Sequence, residues 1–212
     1  LSSATTAGVF TSDLVGMKGG FKIEKTVLQH GDVLYLYTDG IEESTRRRRN
    51  PDYSVIQEEV QVRKTNPKTH EEEIEVKEED SKEEFGPERV KAIIEAVYNR
   101  QAYVLNKDSN PDLNEELIFD FSKGQGSVED SILALASIEK VFRLYKSPSV
   151  QATDYIKVDK KIDECLFKYF NKYDVYAAKK SDDSTGGHYV DYDQMQEDEQ
   201  SDDLTLLAIK RK

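Results

Sequence analysis

A chain of 212 residues suffices for one domain, or for a domain that carries an insertion. Apolar residues make up 37% of it and charged residues 34%, so a core forms while much of the chain is left to loops and solvated surface. The formal net charge of −12 argues against nucleic acid as a partner, one cysteine excludes an intramolecular disulfide, and no apolar run approaches the ~20 residues of a membrane span.

The lone thiol, Cys165, suits a reducing compartment, and a cytoplasmic protein is expected. No signal-peptide pattern is present, and the start at Leu1 reads as a cut from a longer protein. His30, His70 and His188 are scattered without zinc-ligand spacing.

Residues 1–20 are small, polar and glycine-containing, and read as irregular. Phe21 to Leu28 largely alternates apolar and polar residues, the pattern of a half-buried strand. Gln29 to Asp32 is a short turn, so this strand is expected to pair antiparallel with the next one. That next one, Val33 to Tyr37, is five apolar residues in a row and reads as a strand covered on both faces. It ends at Thr38-Asp39-Gly40. A carboxylate at the end of a buried strand, followed by a glycine that lets the chain turn, suits a hard, oxygen-ligated cation. The same residues also spell an ordinary Asp-Gly turn.

Glu42 and Glu43 are acids near this strand end, and Arg46 to Arg49 follow. In an acidic chain the arginines read as a solvated turn, or else as a grip on a phosphorylated substrate or an acidic partner. Within the charged stretch 51–84, Val55–Arg63 and Glu71–Lys77 flank Thr65–Thr69. This reads as an exposed hairpin with a Pro67 tip, or as an acidic, partly disordered loop.

Pro87 beside Glu88 starts a helix, and Val90, Ile93, Ile94, Val97 and Tyr98 give it one apolar face. Asn106 to Glu116 is a loop, and Leu117 to Phe121 reads equally as a short strand or a helix edge. Ser127-Val128-Glu129-Asp130 is a capping box opening a second helix, which ends before Pro148. A third helix is expected over Val158–Tyr173, with Cys165 on its apolar stripe as a structural thiol. The span 177–201 is rich in acids and reads as a mobile loop. It feeds a last buried strand, Leu204 to Ile209, with Asp202 and Asp203 at its entrance. If the two apolar strands are neighbours, Asp39 and Asp202 converge on one cation.

The run Gly31-Asp32-Val33-Leu34-Tyr35-Leu36-Tyr37-Thr38-Asp39-Gly40-Ile41-Glu42-Glu43, followed much later by Asp202-Asp203-Leu204-Thr205-Leu206-Leu207-Ala208-Ile209-Lys210, resembles the metal-dependent protein phosphatase (PPM) family. Its bacterial SpoIIE-like or RsbU-like branch is the nearer likeness. Phe85-Gly86-Pro87-Glu88-Arg89-Val90 is similar to the helix start that this branch places after its Thr-Asp-Gly motif. The resemblance implies an α+β fold, part of an α-β-β-α sandwich in which helices pack on antiparallel sheets. It implies a pair of Mn²⁺ or Mg²⁺ ions, with Asp39 and Asp202 as ligands to one of them. Gly40 would turn the chain beside that ion, with Asp203 and Thr205 supporting the site. The implied reaction is hydrolysis of phosphoserine or phosphothreonine by metal-activated water, on a phosphoprotein such as an anti-sigma-factor antagonist. Specificity in such enzymes lies in surface docking, so the resemblance assigns no substrate-binding residue. An upstream sensor domain, at times membrane-anchored, is common in the branch.

The resemblance covers about 21–98 and 200–212. The expected organisation is a C-terminal portion of the phosphatase domain at 1–99, a mostly helical insertion with an acidic loop at 100–199, and the final strand at 200–212. The family's earlier Asp-Gly motif, which supplies the acid bridging both metals, has no counterpart before Asp39. The strands and helices read here are too few for the whole sandwich. Either another chain completes it, as a homodimer or a domain swap, or the chain folds as a smaller sheet with helices against it. The apolar run Val33 to Tyr37 favours the first. A non-catalytic phosphatase-like scaffold whose insertion binds a signalling partner is the alternative, and an acidic cation-binding module the third.

Overall fold

The computed structural model describes residues 25–65, 72–105, 116–146, 155–182, 186–200 and 202–212. The expected irregular start at 1–20, the hairpin tip at 66–71 with His70, and most of the loop at 106–116 lie outside the described residues. The chain forms two compact units, residues 1–34 with 209–212, and residues 35–208.

In the first unit the expected turn at Gln29–Asp32 is present. Asp32 N donates to Gln29 O at 3.1 Å, Gln29 N donates to the Asp32 carboxylate at 2.6 Å, and Gly31 takes φ +91°, a conformation that glycine adopts without a Cβ penalty. The strand expected before this turn is not formed over 25–28, which is irregular, while 21–24 lie outside the described residues. In its place, Gly31 N donates to Arg211 O and Arg211 N donates to Asp32 O, both at 3.0 Å. The pairing of Gly31 and Asp32 with Arg211 joins the turn to the far end of the chain, which no short window of sequence contains.

The strand β1 (Val33–Tyr37) accordingly pairs with β12 (Leu206–Lys210) in a two-stranded ladder. Thr38 N donates to Thr205 O at 3.1 Å at the other end, so the strands run antiparallel and Leu36 falls opposite Leu207. Neither strand is covered on both faces as expected. Leu36 is 48% exposed and Leu207 52% exposed, because a ladder of two strands has no third layer to bury its outer side.

The second unit is mixed α+β, and its described residues form small antiparallel sheets and four α-helices. Strand β2 (Thr45–Arg47) pairs with β5 (Lys82–Glu84), and β3 (Gln57–Thr65) with β4 (Glu72–Asp80) as the expected hairpin. Helix α1 (Gly86–Asn99) begins with Pro87 in its first turn, where the missing N–H costs nothing. Its stripe buries Val90, Ile93 and Val97 as the spacing predicts. It ends where Arg100 turns left-handed (φ 53°), and β6 (Ala102–Leu105) then pairs with β7 (Leu117–Asp120). That pairing decides the Leu117–Phe121 ambiguity in favour of a strand.

Helix α2 (Val128–Arg143) carries the predicted capping box: Ser127 Oγ accepts from Asp130 N, and the Asp130 carboxylate accepts from Ser127 N. It stops at Arg143 rather than just before Pro148, and β8 (Leu144–Lys146) follows. Val158 belongs to β9 (Tyr155–Asp159), so α3 (Lys160–Tyr169) is shorter than expected. Asp159 caps it by accepting from Lys161 N at 2.8 Å, which is why the helix cannot start earlier. Cys165 is buried on α3, as expected of a structural thiol, and burial pushes its pKa up. After the short α4 (Tyr173–Ala177), the expected acidic loop instead forms β10 (Tyr189–Asp193), paired with β9, and β11 (Met195–Glu197), paired with β8. Among its described residues, the span 100–199, expected to be mostly helical, therefore alternates helices with six strands.

The core gathers around α1 and α2, with Phe85 edge-on to Phe142 at 5.3 Å, and continues where Phe119 stacks on Phe170 at 4.6 Å. Among the described residues no helix is long and apolar enough to cross a membrane.

Of the arginine run, Arg48 is exposed and Arg47 half-exposed, but the other two are not solvated. Arg46 and Arg49 are 4% and 6% exposed. Arg46 lies over the Phe142 ring at 4.3 Å and pairs with Glu83 at 2.8 Å. Arg49 lies over the Tyr145 ring at 3.5 Å and donates through two nitrogens to Asp198, itself 4% exposed. Strand alternation turns Arg46 inward, and a buried guanidinium must be paired. A grip on a phosphorylated ligand by these two is thereby excluded.

Candidate functional site

The ends of β1 and β12 carry the predicted site residues, and all of them belong to the second unit. After Tyr37 the chain enters a 3₁₀ turn, Asp39–Ile41, in which Glu43 N donates to Asp39 O at 2.8 Å. Gly40 is buried here, with a φ in the ordinary negative range. A Cβ on it would meet Asp203 O at 2.5 Å and Asp202 O at 3.3 Å. Glycine is thus required by the close approach of a second backbone rather than by the turn itself. That approach places Asp39 and Asp202 each one residue away from the same contact.

Thr38 locks the junction. Its hydroxyl donates to Asp203 O at 2.8 Å and accepts from Thr205 N at 3.0 Å. Thr205 serves through its backbone, and Asp203 through its carbonyl and through its N–H, which donates to Asp202 Oδ1 at 2.7 Å. Gly40, Asp203 and Thr205 are thus joined in a backbone clasp. Sequence reading missed Thr38, although a hydroxyl residue at a strand end is a standard device for tying off backbone groups.

Asp39, Asp202 and Asp203 are all exposed. Gln200, Asp202, Asp203 and Leu204 line an open hollow of about 500 Å³. Glu42 is occupied by Tyr37, whose hydroxyl donates to it at 2.6 Å; partial burial and this carboxylate push the phenol up to about 12. Further back, Arg143 steadies the segment that leads into the site, donating to Asp198 O at 3.0 Å and to Gln200 Oε1 at 3.3 Å. Arg143 is held in turn by Glu139, which also accepts from Ser44 Oγ at 2.7 Å.

Among the described residues no group of three or more His, Cys, Asp or Glu side chains is placed to hold a metal ion. The chemistry open to this junction is that of three exposed carboxylates, Asp39, Asp202 and Asp203, on a backbone clasp beside an open hollow. Comparison with protein-family models, with curated proteins and with solved structures finds no match for the chain.

Proposed function

We propose that this chain carries a C-terminal portion of a metal-dependent serine/threonine protein phosphatase domain, of the SpoIIE-like kind. One observation carries the reading: Gly40 is seated on the Asp202–Asp203 backbone, so both signature acids leave neighbouring strands at the same end. The donor set fits a hard cation in kind. Asp39 and Asp202 offer exposed oxygens, and Mn²⁺ or Mg²⁺ keeps several waters and so needs few protein ligands. A two-ion site takes its remaining ligands from beyond this pair.

Asp39 and Asp202 are the residues that hold the cation. The bond from Asp203 N fixes one Asp202 oxygen, and Thr38 with Thr205 holds the two strand ends in register. A divalent ion held there by Asp39 and Asp202 would supply Lewis-acid activation of water and charge neutralisation for phosphoester hydrolysis. The substrate in this reading is a phosphoserine or phosphothreonine protein, of which an anti-sigma-factor antagonist is the type.

Two measurements test it together: Mn²⁺ binding by electron paramagnetic resonance, and Mn²⁺-dependent hydrolysis of p-nitrophenyl phosphate, each with Asp39→Asn and Asp202→Asn. Loss of binding and turnover in both variants supports the shared site. Binding that survives both substitutions overturns it. Binding lost in both variants, with no turnover by the intact chain, moves the assignment to a phosphatase-like scaffold.

A further inference from the structure

The β3–β4 hairpin takes no part in the site just described, yet it is the longest ladder among the described residues, with nine residues in each strand. Its two strands pair only with each other. An isolated two-stranded ribbon is marginal in water, because neither face is covered. This one is tied at its base, where Ser81 N donates to Ile56 O at 2.8 Å and Asp80 pairs with Arg47 at 2.9 Å.

The two faces differ. On one, Val60 and Val62 are half-buried, and Lys64 pairs with Glu75. The other carries Glu59, Gln61 and Arg63 opposite Glu78, Val76 and Ile74. Val76 is 54% exposed and Ile74 64% exposed, and the register sets Glu59 directly opposite Glu78. Like charges facing each other across a ladder repel, as Glu58 and Glu79 also do on the first face, and Val76 and Ile74, opposite Gln61 and Arg63, have no apolar partner across the ladder. Both features cost the free protein and are relieved by the same occupant, a surface that brings cations to Glu59 and Glu78 and apolar side chains to Val76 and Ile74.

We infer that this face of the hairpin is a docking surface for a basic, extended protein segment that alternates Lys or Arg with apolar residues. Charge complementarity selects that occupant. A second copy of this chain would bring net negative charge against Glu59 and Glu78, and nucleic acid would bring phosphates. An extended segment lying across this face sends every second side chain toward it, because successive side chains of a strand point to opposite sides.

The probe is a fluorescein-labelled eight-residue peptide alternating Lys and Val, followed by anisotropy and by amide chemical-shift mapping on the full chain. Its control is the same peptide with Glu for Lys. The Lys-Val peptide binds with shifts confined to 57–80, and the Glu-Val peptide does not bind. Glu78→Lys weakens binding tenfold or more while its melting temperature stays level or rises, since it turns a repelling pair into an attracting one. Ile74→Ser with Val76→Ser weakens binding several-fold at unchanged helix and sheet content. Absence of Lys-Val binding, affinity unchanged in Glu78→Lys, or shifts centred elsewhere overturns the inference. Self-association in sedimentation that is abolished by the Ile74/Val76 change also overturns it, in favour of a second copy.

Discussion

Gly40 stands against Asp203 so closely that a methyl group on its Cα would fall 2.5 Å from the Asp203 carbonyl oxygen. The obstacle is backbone, which cannot swing aside as a side chain would. Gly40→Ala must therefore push apart the ends of β1 and β12, at a cost of about 1–3 kcal/mol typical of overpacking. Urea denaturation reads that cost. Mn²⁺ affinity should fall in the same variant, because Asp39 and Asp202 no longer leave the strands together. A variant as stable as the parent, with unchanged Mn²⁺ binding, would show that the two backbones are not in contact.

The pair Arg49–Asp198 is buried on both sides, and Asp198 also accepts from Arg47 N at 2.9 Å. Removing one partner of such a pair strands the other charge. Asp198→Asn is expected to cost about 3–5 kcal/mol. Arg49→Met combined with Asp198→Leu should cost less than the sum of the two single changes, since no charge is then left unpaired. A double-mutant cycle by denaturation checks this, and additive losses would mean the two side chains do not interact.

Helix α2 depends on its cap. Ser127→Ala removes the acceptor for Asp130 N at 3.0 Å, while the bond from the backbone N–H of residue 127 to the Asp130 carboxylate is kept. The expected loss is about 0.5–2 kcal/mol, with Ser127→Gly losing less. Hydrogen exchange at the amides of 128–131 should quicken first, ahead of the rest of the helix. Uniform exchange along α2 would place the cap's contribution elsewhere.

What the sequence carried legibly was local. Pro87, the spacing from Val90 to Tyr98, and the Ser127–Asp130 box each act within a turn or two, so the two long helices could be read directly. The hairpin was legible only as one of two readings, beside an acidic loop, and its register comes from the strand pairing itself. The failures were non-local. Asp198 reads as a loop acid until Arg49, far back in the chain, is known to bury it. The strands β8 and β11 have three residues each, too few to establish a period, and are fixed by each other across the fold. Of the candidate site, Asp39 and Asp202 were legible as acids at strand ends. The clasp was not, because Thr38 finds Asp203 and Thr205 only once the first and last strands have paired.

Alkaline stability should hinge on Asp163. It accepts from the Tyr173 hydroxyl at 2.9 Å and from the Tyr192 hydroxyl, and it pairs with Lys180 at 3.4 Å. Burial, and then the Asp163 carboxylate beside it, push the Tyr192 phenol above its ordinary value of 10, and the Tyr173 phenol moves in the same direction. Because the folded value is raised, the native state holds its protons where the unfolded chain releases them. The stabilisation is fully present below about pH 10 and is lost as pH climbs past it, at about 1.4 kcal/mol per pH unit for each proton. Tyr192→Phe removes one such proton from both states. At pH 7 it should cost about 1–3 kcal/mol, for a hydrogen bond taken from a charged acceptor. Between pH 10 and 11 its stability should fall less steeply than that of the parent, so the two curves converge. Urea midpoints measured from pH 7 to 11 decide the matter, and parallel curves would mean that Tyr192 does not titrate differently in the folded state.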